Sequence, residues 1–381
     1  MPATKASPYK RHPTRYRGIS YRERADGTRT YSVYSQGGYV LVNGGEQEAL
    51  AKQAELRGKA ARGEKPVTPT KAKFADVAEL WFASKRHLQP WTRKSYRGAL
   101  DRILIPRFGS MKVATITTEH VATLILALEA EGLSSSTIEN YLLPLSGTLG
   151  FAVQRRLITA NPCSLLSRDD RPRRSERKQD HIWNDDEIAA LIEAAEYVAR
   201  QPEARYDYSP LIRTAIFTGL RLGELLGLRW EDVDLHDGAL HVRQQYTRLG
   251  EYGPPKTKAA IRRVPLSEEM KTYLAAQKLR SPHSKDGDPV FASRNGKPLG
   301  HRNATRRGFE AAAKHAGIEG VSFHSMRHAF ASRMIHREIS STVLAVLMGH
   351  ESSAITERTY IHLFDQLRTD DAVRQAMAGV Q

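Results

Sequence analysis

One cysteine, Cys163, stands in 381 residues. A lone thiol excludes an internal disulfide and a zinc site built on cysteines. Following "ANP", it reads as a small buried hydrophobe. No apolar run approaches the roughly 20 residues that a membrane span needs. The basic N-terminus, "MPATKASPYKRHPTRYRG", has no apolar segment behind it and does not read as a secretory signal. There is no GxxxxGK[ST] phosphate loop and no internal repeat. These absences predict a cytoplasmic protein without membrane contact. Acidic residues are also short: 42 Asp and Glu face 58 Lys and Arg, for a net charge of +16. That imbalance is the electrostatic footprint of a nucleic-acid binder. It is steepest at the start, where residues 1–35 hold Lys5, Lys10, Arg11, Arg15, Arg17, Arg22, Arg24 and Arg29 against Glu23 and Asp26.

With 40% hydrophobic residues the chain can pack several cores, and its pattern changes along its length. Residues 1–17 read as disordered. Two alternating runs, 18–24 and 28–35, flank "ADG", a hairpin signal; "YVLV" follows Gly37-Gly38, and "EQEALAKQAELRGKAARGE" reads as a helix. The result is a small unit of three strands and one helix over 1–65, with Arg22, Arg24, Arg29 and Tyr31 as candidate DNA contacts, since a strand ribbon can enter the major groove. "KPVTPTKAK" has nothing to bury, and 66–73 is a linker. Helical periodicity then gives four helices over 74–167, with Arg93, Lys94 and Arg97 as further candidate DNA contacts. Prolines and a basic run make 168–180 a second linker. The remainder, 181–381, is mixed: helices are predicted at 185–199, 209–227, 267–280, 303–316, 324–336, 340–347 and 353–360, and strands at 239–248 and 261–266.

Several polar residues of this last region stand out. "TGLRLGELLGLRW" sets Arg221 among leucines at a core edge, where a buried charge needs a partner unless the side chain snorkels to water. "GPPKTKAAIRRVPL" puts Lys256 and Lys258 in a turn between strands, where lysines are ordinarily just solvated. "FHSMRHAFAS" places His324 and Arg327 three apart, on one helix face. "LMGHESSAITERTYIHL" supplies His350 and Tyr360. His324 and His328 have a metal-ligand spacing, but the pattern is HSMRH, without the glutamate of HExxH, so no metal is expected and His328 reads as a structural hydrogen-bonder. His362 has no assignable role.

Together these residues resemble the tyrosine recombinases, the phage integrase family. The pieces that carry the resemblance are "TGLRLGEL", "PKTKAAIRRVPL", "FHSMRHAFAS", "LMGH" and "TYIH", in the family's order; Met326 and Met348 stand where leucine is usual, volume-conserving departures. The resemblance implies catalytic roles for Arg221, Lys256, His324, Arg327, His350 and Tyr360, the last as nucleophile. Lys256 is favoured by its place after Pro254-Pro255, with Lys258 as the alternative. It implies a multidomain, mainly α chain with small β elements: an arm-site-binding domain of three strands and a helix, an all-α core-site-binding domain, and a mixed α+β catalytic domain.

The implied reaction is strand cutting through a 3′-phosphotyrosyl intermediate. Displacement at phosphorus builds charge on the non-bridging oxygens, which fixed cations stabilise, and two guanidiniums offer forked donors to phosphate. His324 is the candidate base for Tyr360, His350 a further donor to the phosphate and Lys256 the acid for the leaving 5′-oxygen. No metal, cofactor or ATP is called for, because the arginines supply the charge and the covalent link conserves the bond energy. The implied partners are double-stranded DNA at core-type and arm-type attachment sites, a homotetramer on that DNA, DNA-bending accessory proteins and an excisionase. Residues 366–381 are expected to form a helix that docks on a neighbouring subunit. Two other readings use the same residues: a type IB topoisomerase-like nicking and closing enzyme, and a non-catalytic DNA-binding regulator.

Overall fold

A computed structural model describes residues 11–23, 27–35, 38–42, 44–61, 71–173, 181, 183–361, 363–364 and 377. Arg24, His362, most of residues 1–17 and of both linkers, and the 366–381 tail apart from Met377 lie outside the described residues. The chain divides into two compact units, 1–177 and 178–381.

The first unit begins with an antiparallel sheet of order β1 (His12–Pro13), β2 (Ile19–Glu23), β3 (Arg29–Ser35) and β4 (Gly38–Val42). The three expected strands are β2 to β4; β1 is an addition, two residues of the N-terminal stretch read as disordered, paired with Ser20 and Tyr21. Register places Ile19 opposite Val33 and Tyr21 opposite Tyr31. Alternation therefore sends Ile19, Tyr31 and Val33 to one face. There they bury a small core with Ala49 of α1 (Glu46–Ala61). Tyr34, Tyr39 and Leu41 belong to the opposite face and are exposed.

A separate helical core follows. It is built from α2 (Phe74–Ser84), α3 (Pro90–Ala99), α4 (Ile105–Phe108), α5 (Thr118–Ala130) and α6 (Ser135–Gln154). α3 and α4 are one continuous helix joined by a π-turn over Leu100–Leu104; Pro106 removes an N–H that a regular ladder would use there. α5 and α6 start where the sequence offers caps: Thr117 and Ser134 accept from the backbone of His120 and Thr137.

The second unit has helices α7 (Asp185–Ala199), α8 (Ser209–Thr218) and α9 (Leu222–Gly227). Next come strands β5 (Val233–Asp234), β6 (Ala239–Val242), β7 (Gln245–Tyr246), β8 (Tyr252–Gly253) and β9 (Arg262–Pro265). It closes with α10 (Glu268–Arg280), α11 (His301–Asn303), α12 (Glu310–His315), α13 (Ser325–His336), α14 (Ser341–Met348) and a helix over 353–361. β5, β6 and β9 form a three-stranded antiparallel sheet, and β7 and β8 a hairpin.

The single helix expected over 209–227 is two. Gly219 ends α8 in the left-handed conformation, φ +63°, and an added Cβ there would overlap the Phe330 ring of α13. The break makes Arg221 the N-cap residue of α9. Leu220, Leu225, Leu226 and Leu228 are buried around it, as the leucine spacing predicts. Among the described residues, no helix is long and apolar enough to cross a membrane.

Candidate active site

The site is assembled at helix ends of the second unit. Arg221 leaves the turn between α8 and α9 and is tied to Glu224, one helical turn on. One Glu224 oxygen accepts from the Arg221 guanidinium at 2.9 Å. The other accepts from the Arg221 backbone N–H at 2.9 Å and from Arg262 Nη2 at 2.9 Å. Arg262, at the start of β9, also donates to the carbonyls of Leu347 at 2.7 Å and Ala260 at 2.9 Å. Both Glu224 and Arg262 are buried. Burial pushes the Glu224 carboxyl up, but the guanidiniums of Arg262 and Arg221 more than offset it and hold it below the usual carboxylate range.

Arg327 is 3% exposed. Its guanidinium donates to the carbonyl of Gly219 at 2.7 Å and to the carbonyl of Met348. These oxygens lie at the C-terminal ends of α8 and α14, where unpaired carbonyls and the negative end of the helix dipole favour a cation. Burial, then the charge of Arg221, pushes Arg327 down to about 9, so it remains protonated at neutral pH. Arg221 and Arg262 share the Glu224 carboxylate, while Arg327 is held by carbonyl oxygens. The cluster thus keeps an excess of positive charge, which an incoming anion can neutralise.

Gly349 caps α14 in the left-handed conformation, φ +62°, and turns the chain so that His350 faces the arginines. Its imidazole lies 2.7 Å from Thr356 Oγ1. Burial, followed by the charges of Arg327, Arg221, Arg262 and His324, lowers His350 to about 4. The ring is therefore neutral at physiological pH. His324 caps α13 and is exposed; its ring meets that of His328 edge-on, with centroids 5.1 Å apart. Tyr360, on the helix over 353–361, is buried with Phe330, Leu344 and Met348. Its hydroxyl lies 2.9 Å from His328 Nδ1.

Arg221, His324, Arg327 and His350 thus act on one another's charge, and Tyr360 lies within reach of Arg327. Lys256 and Lys258 are exposed on the segment between β8 and β9; Gln245 donates to the Pro254 carbonyl at its near end, at 2.8 Å, and Arg262 to the Ala260 carbonyl at its far end, at 2.9 Å. The phage integrase family model matches residues 183–366, which contain all these groups, and the model of the phage integrase N-terminal SAM-like domain matches residues 73–128. The chain belongs to the phage integrase family.

The integrase is 27% identical over 365 residues to prophage integrase IntR of Escherichia coli strain K12, covering 86% of this chain and 85% of that protein. Its fold resembles that of the Tn1549 transposon integrase, solved with a circular intermediate DNA. The TM-score is 0.68 at 20% identity, over 79% of this chain and 99% of that one. It also resembles the lambda integrase of a tetramer bound to a Holliday junction, with a TM-score of 0.58 at 19% identity over 90% and 94% of the two chains.

The candidate DNA contacts of the integrase's first unit fare unevenly. Tyr31 is a correction: it is 8% exposed and belongs to the core against α1. Arg29 alternates onto the same side as Tyr31; it pairs with Glu23 at 3.1 Å and stacks over Tyr21. Arg22 belongs to the opposite, open face with Tyr34, Tyr39 and Leu41, and Arg11 stacks on Tyr39 at 3.8 Å from the ring centre. In the helical core, Arg93 donates to the carbonyls of Lys85 and Phe82 at the end of α2. Arg97 is paired with Glu79 at 2.7 Å and with Asp101. Lys94 is the exposed one of the three, beside Trp91.

Sequence reading missed three groups: Glu224, Arg262 and the contact of His328 with the tyrosine. Glu224 carried a signal, because a carboxylate three residues past a cap position reaches back to the cap. Arg262 carried none, since "IRR" reads equally as solvated strand arginines. The period-2 alternation separated Arg22 from Arg29 and Tyr31, and could have found the open face.

Proposed function

We propose that the integrase is a site-specific DNA recombinase of a phage or other integrative element. Tyr360 attacks a DNA phosphodiester and the strand is held as a 3′-phosphotyrosyl link. The observation that carries this reading is the convergence of a tyrosine with four cationic or imidazole side chains from three helix ends. In the proposed step Arg221 and Arg327 donate to the non-bridging oxygens and stabilise the charge that builds there. His350, neutral at working pH, donates a hydrogen bond rather than a charge. His324, exposed at the N-terminus of α13, stands at the mouth of the site, also against the phosphate. Lys256 protonates the leaving 5′-oxygen, its exposed segment lying ahead of the clamped Arg262. A 5′-hydroxyl of another strand then attacks the phosphotyrosine and restores a diester without ATP.

Three domains divide the work in this reading: the sheet and α1 bind arm-type sites, the helical core binds core-type sites, and the remainder cuts. The proposed partner is double-stranded DNA and the proposed assembly a tetramer, as in the lambda integrase complex with a Holliday junction. The proposed place of action is the cytoplasm of a bacterial host. The test uses a suicide substrate nicked beside a candidate attachment site taken from the DNA flanking the gene. A covalent protein–DNA band on a denaturing gel, lost in Y360F, is the expected result. Site-specific binding without any band would make the chain a regulator instead, and relaxation of any supercoiled plasmid without a special site would make it a topoisomerase-like enzyme.

A further inference from the structure

The tyrosine hydroxyl has a partner that the scheme above does not use. Tyr360 Oη lies 2.9 Å from His328 Nδ1, inside the reach that proton transfer requires. The histidine is half-buried on α13, next in sequence to Arg327 and one turn past His324, whose ring packs edge-on against it. A nucleophile, a base in hydrogen-bond reach and a third group that orients the base form the general pattern of an activated nucleophile. A tyrosine is neutral at physiological pH and has one proton to give; an imidazole protonated on Nε2 has its acceptor at Nδ1.

We propose that His328 is the residue that takes the proton of Tyr360 during strand cleavage and returns it during rejoining. This rests on Tyr360 as nucleophile. The Oη–phosphorus bond forms while the bond from phosphorus to the 5′-oxygen breaks. The phenolic proton moves to His328 Nδ1, and the leaving oxygen takes its proton from a separate acid. In the reverse step the 5′-hydroxyl attacks and gives its proton to the conjugate base of that separate acid, the phosphorus–Oη bond breaks, and the imidazolium hands its proton back to Oη. His324 then serves the phosphate and orients His328. Of the charged and titratable groups nearby, His324 packs on His328 and Arg327 acts on Tyr360; Arg221, Glu224 and Arg262 act in turn on Arg327, and Arg327, Arg221, Arg262 and His324 act on His350.

The experiment compares covalent-complex formation by the full chain on two suicide substrates. One has the ordinary 5′-oxygen at the scissile position; the other has sulfur there, which leaves without protonation. Wild type, H328A, H328N, H324N and K256A are measured across pH 5 to 9. Asparagine keeps an acceptor near the Nδ1 position but cannot hold the proton, so a mere positioning role would be restored by H328N. The expected result is that H328A and H328N are slowed alike, on the order of 10²-fold, on both substrates, and that the wild-type loss of rate at low pH disappears in them. Sulfur restores K256A.

Cleavage of the sulfur substrate by H328N at the wild-type rate overturns the inference. So does a slow H324N beside a normal H328N, which would make His324 the base. Failure of the underlying reading looks different: Y360F then forms the covalent complex as wild type does, or wild type forms none on either substrate. An independent check on wild-type protein needs no variant at His328. The nitrogen-15 shift of His328 Nδ1 is expected at the unprotonated value and should change in Y360F; a protonated Nδ1 donating to the tyrosine overturns the proposal.

Discussion

Glu224 carries the heaviest electrostatic duty in the site, because one carboxylate serves two guanidiniums. E224A leaves Arg221 and Arg262 uncompensated next to Arg327. Removing one partner of a buried pair costs roughly 3–5 kcal/mol, and a loss of that size is expected in denaturant unfolding; E224Q is no rescue, because its amide has one accepting oxygen and would turn an N–H2 donor toward an arginine that now donates to the other carboxylate oxygen. The pH dependence follows from the same contact. The folded carboxyl titrates below its unfolded value, so the native state binds fewer protons, and the contribution is present above the unfolded carboxylate pKa and lost as pH falls below it. His350 works in the same direction in a higher window. Its folded value of about 4 lies below the ordinary histidine value of 6.5. The unfolded chain therefore takes up the proton first, and stability falls on acidification from about pH 6.5 to about pH 4. Measuring the unfolding midpoint against pH should show that slope in wild type and a flatter curve in H350A.

At the scale of elements, the candidate active site is a set of helix ends, and two glycines make two of those ends possible. Gly219 and Gly349 close α8 and α14 with positive φ, which glycine adopts without the strain that other residues meet. Their neighbourhoods also lack room: a Cβ on Gly349 would lie 2.9 Å from Arg262 Nη1 and 3.1 Å from Ala260 Cα. G349A is expected to lose about 1–3 kcal/mol from backbone strain alone, read as a lower unfolding midpoint. Its covalent-complex yield should fall more than its DNA binding does, since His350 and the Met348 carbonyl that holds Arg327 flank that glycine. G219A should be at least as damaging, because the Phe330 ring fills the space. The sheet of the first unit obeys a similar logic of faces: period-2 alternation commits Ile19, Tyr31 and Val33 to α1 and leaves the opposite face with Tyr34, Tyr39 and Leu41.

For the whole molecule, charge sets the expectation. Residues 1–70 contain 13 Lys and Arg against 6 Asp and Glu. A 1–70 fragment is expected to bind duplex DNA with an affinity that falls linearly on a log–log plot against salt, because each neutralised phosphate releases counterions. Replacing Tyr34 and Tyr39 with alanine should weaken that binding, whereas substituting Tyr31 should unfold the fragment. No binding even at low salt would remove the arm-site role from this domain.

The sequence alone determined the number and order of most elements, because caps, glycines, prolines and hydrophobic period are local properties. It also singled out the proposed catalytic set, since the order of Arg221, His324, Arg327, His350 and Tyr360 along the chain is itself the family pattern. Only the tertiary structure decided who touches whom. Arg262 reaches Glu224 across 38 positions of sequence and Arg327 reaches the Gly219 carbonyl across 108, separations at which no local rule operates. His328 looked like a scaffold residue until the helix over 353–361 brought Tyr360 against it. Arg93, Arg97 and Arg29 looked like free cations until their carbonyl and carboxylate partners were in place. Composition fixes how much positive charge the chain carries; folding fixes which of it is already spoken for and which is left to meet DNA.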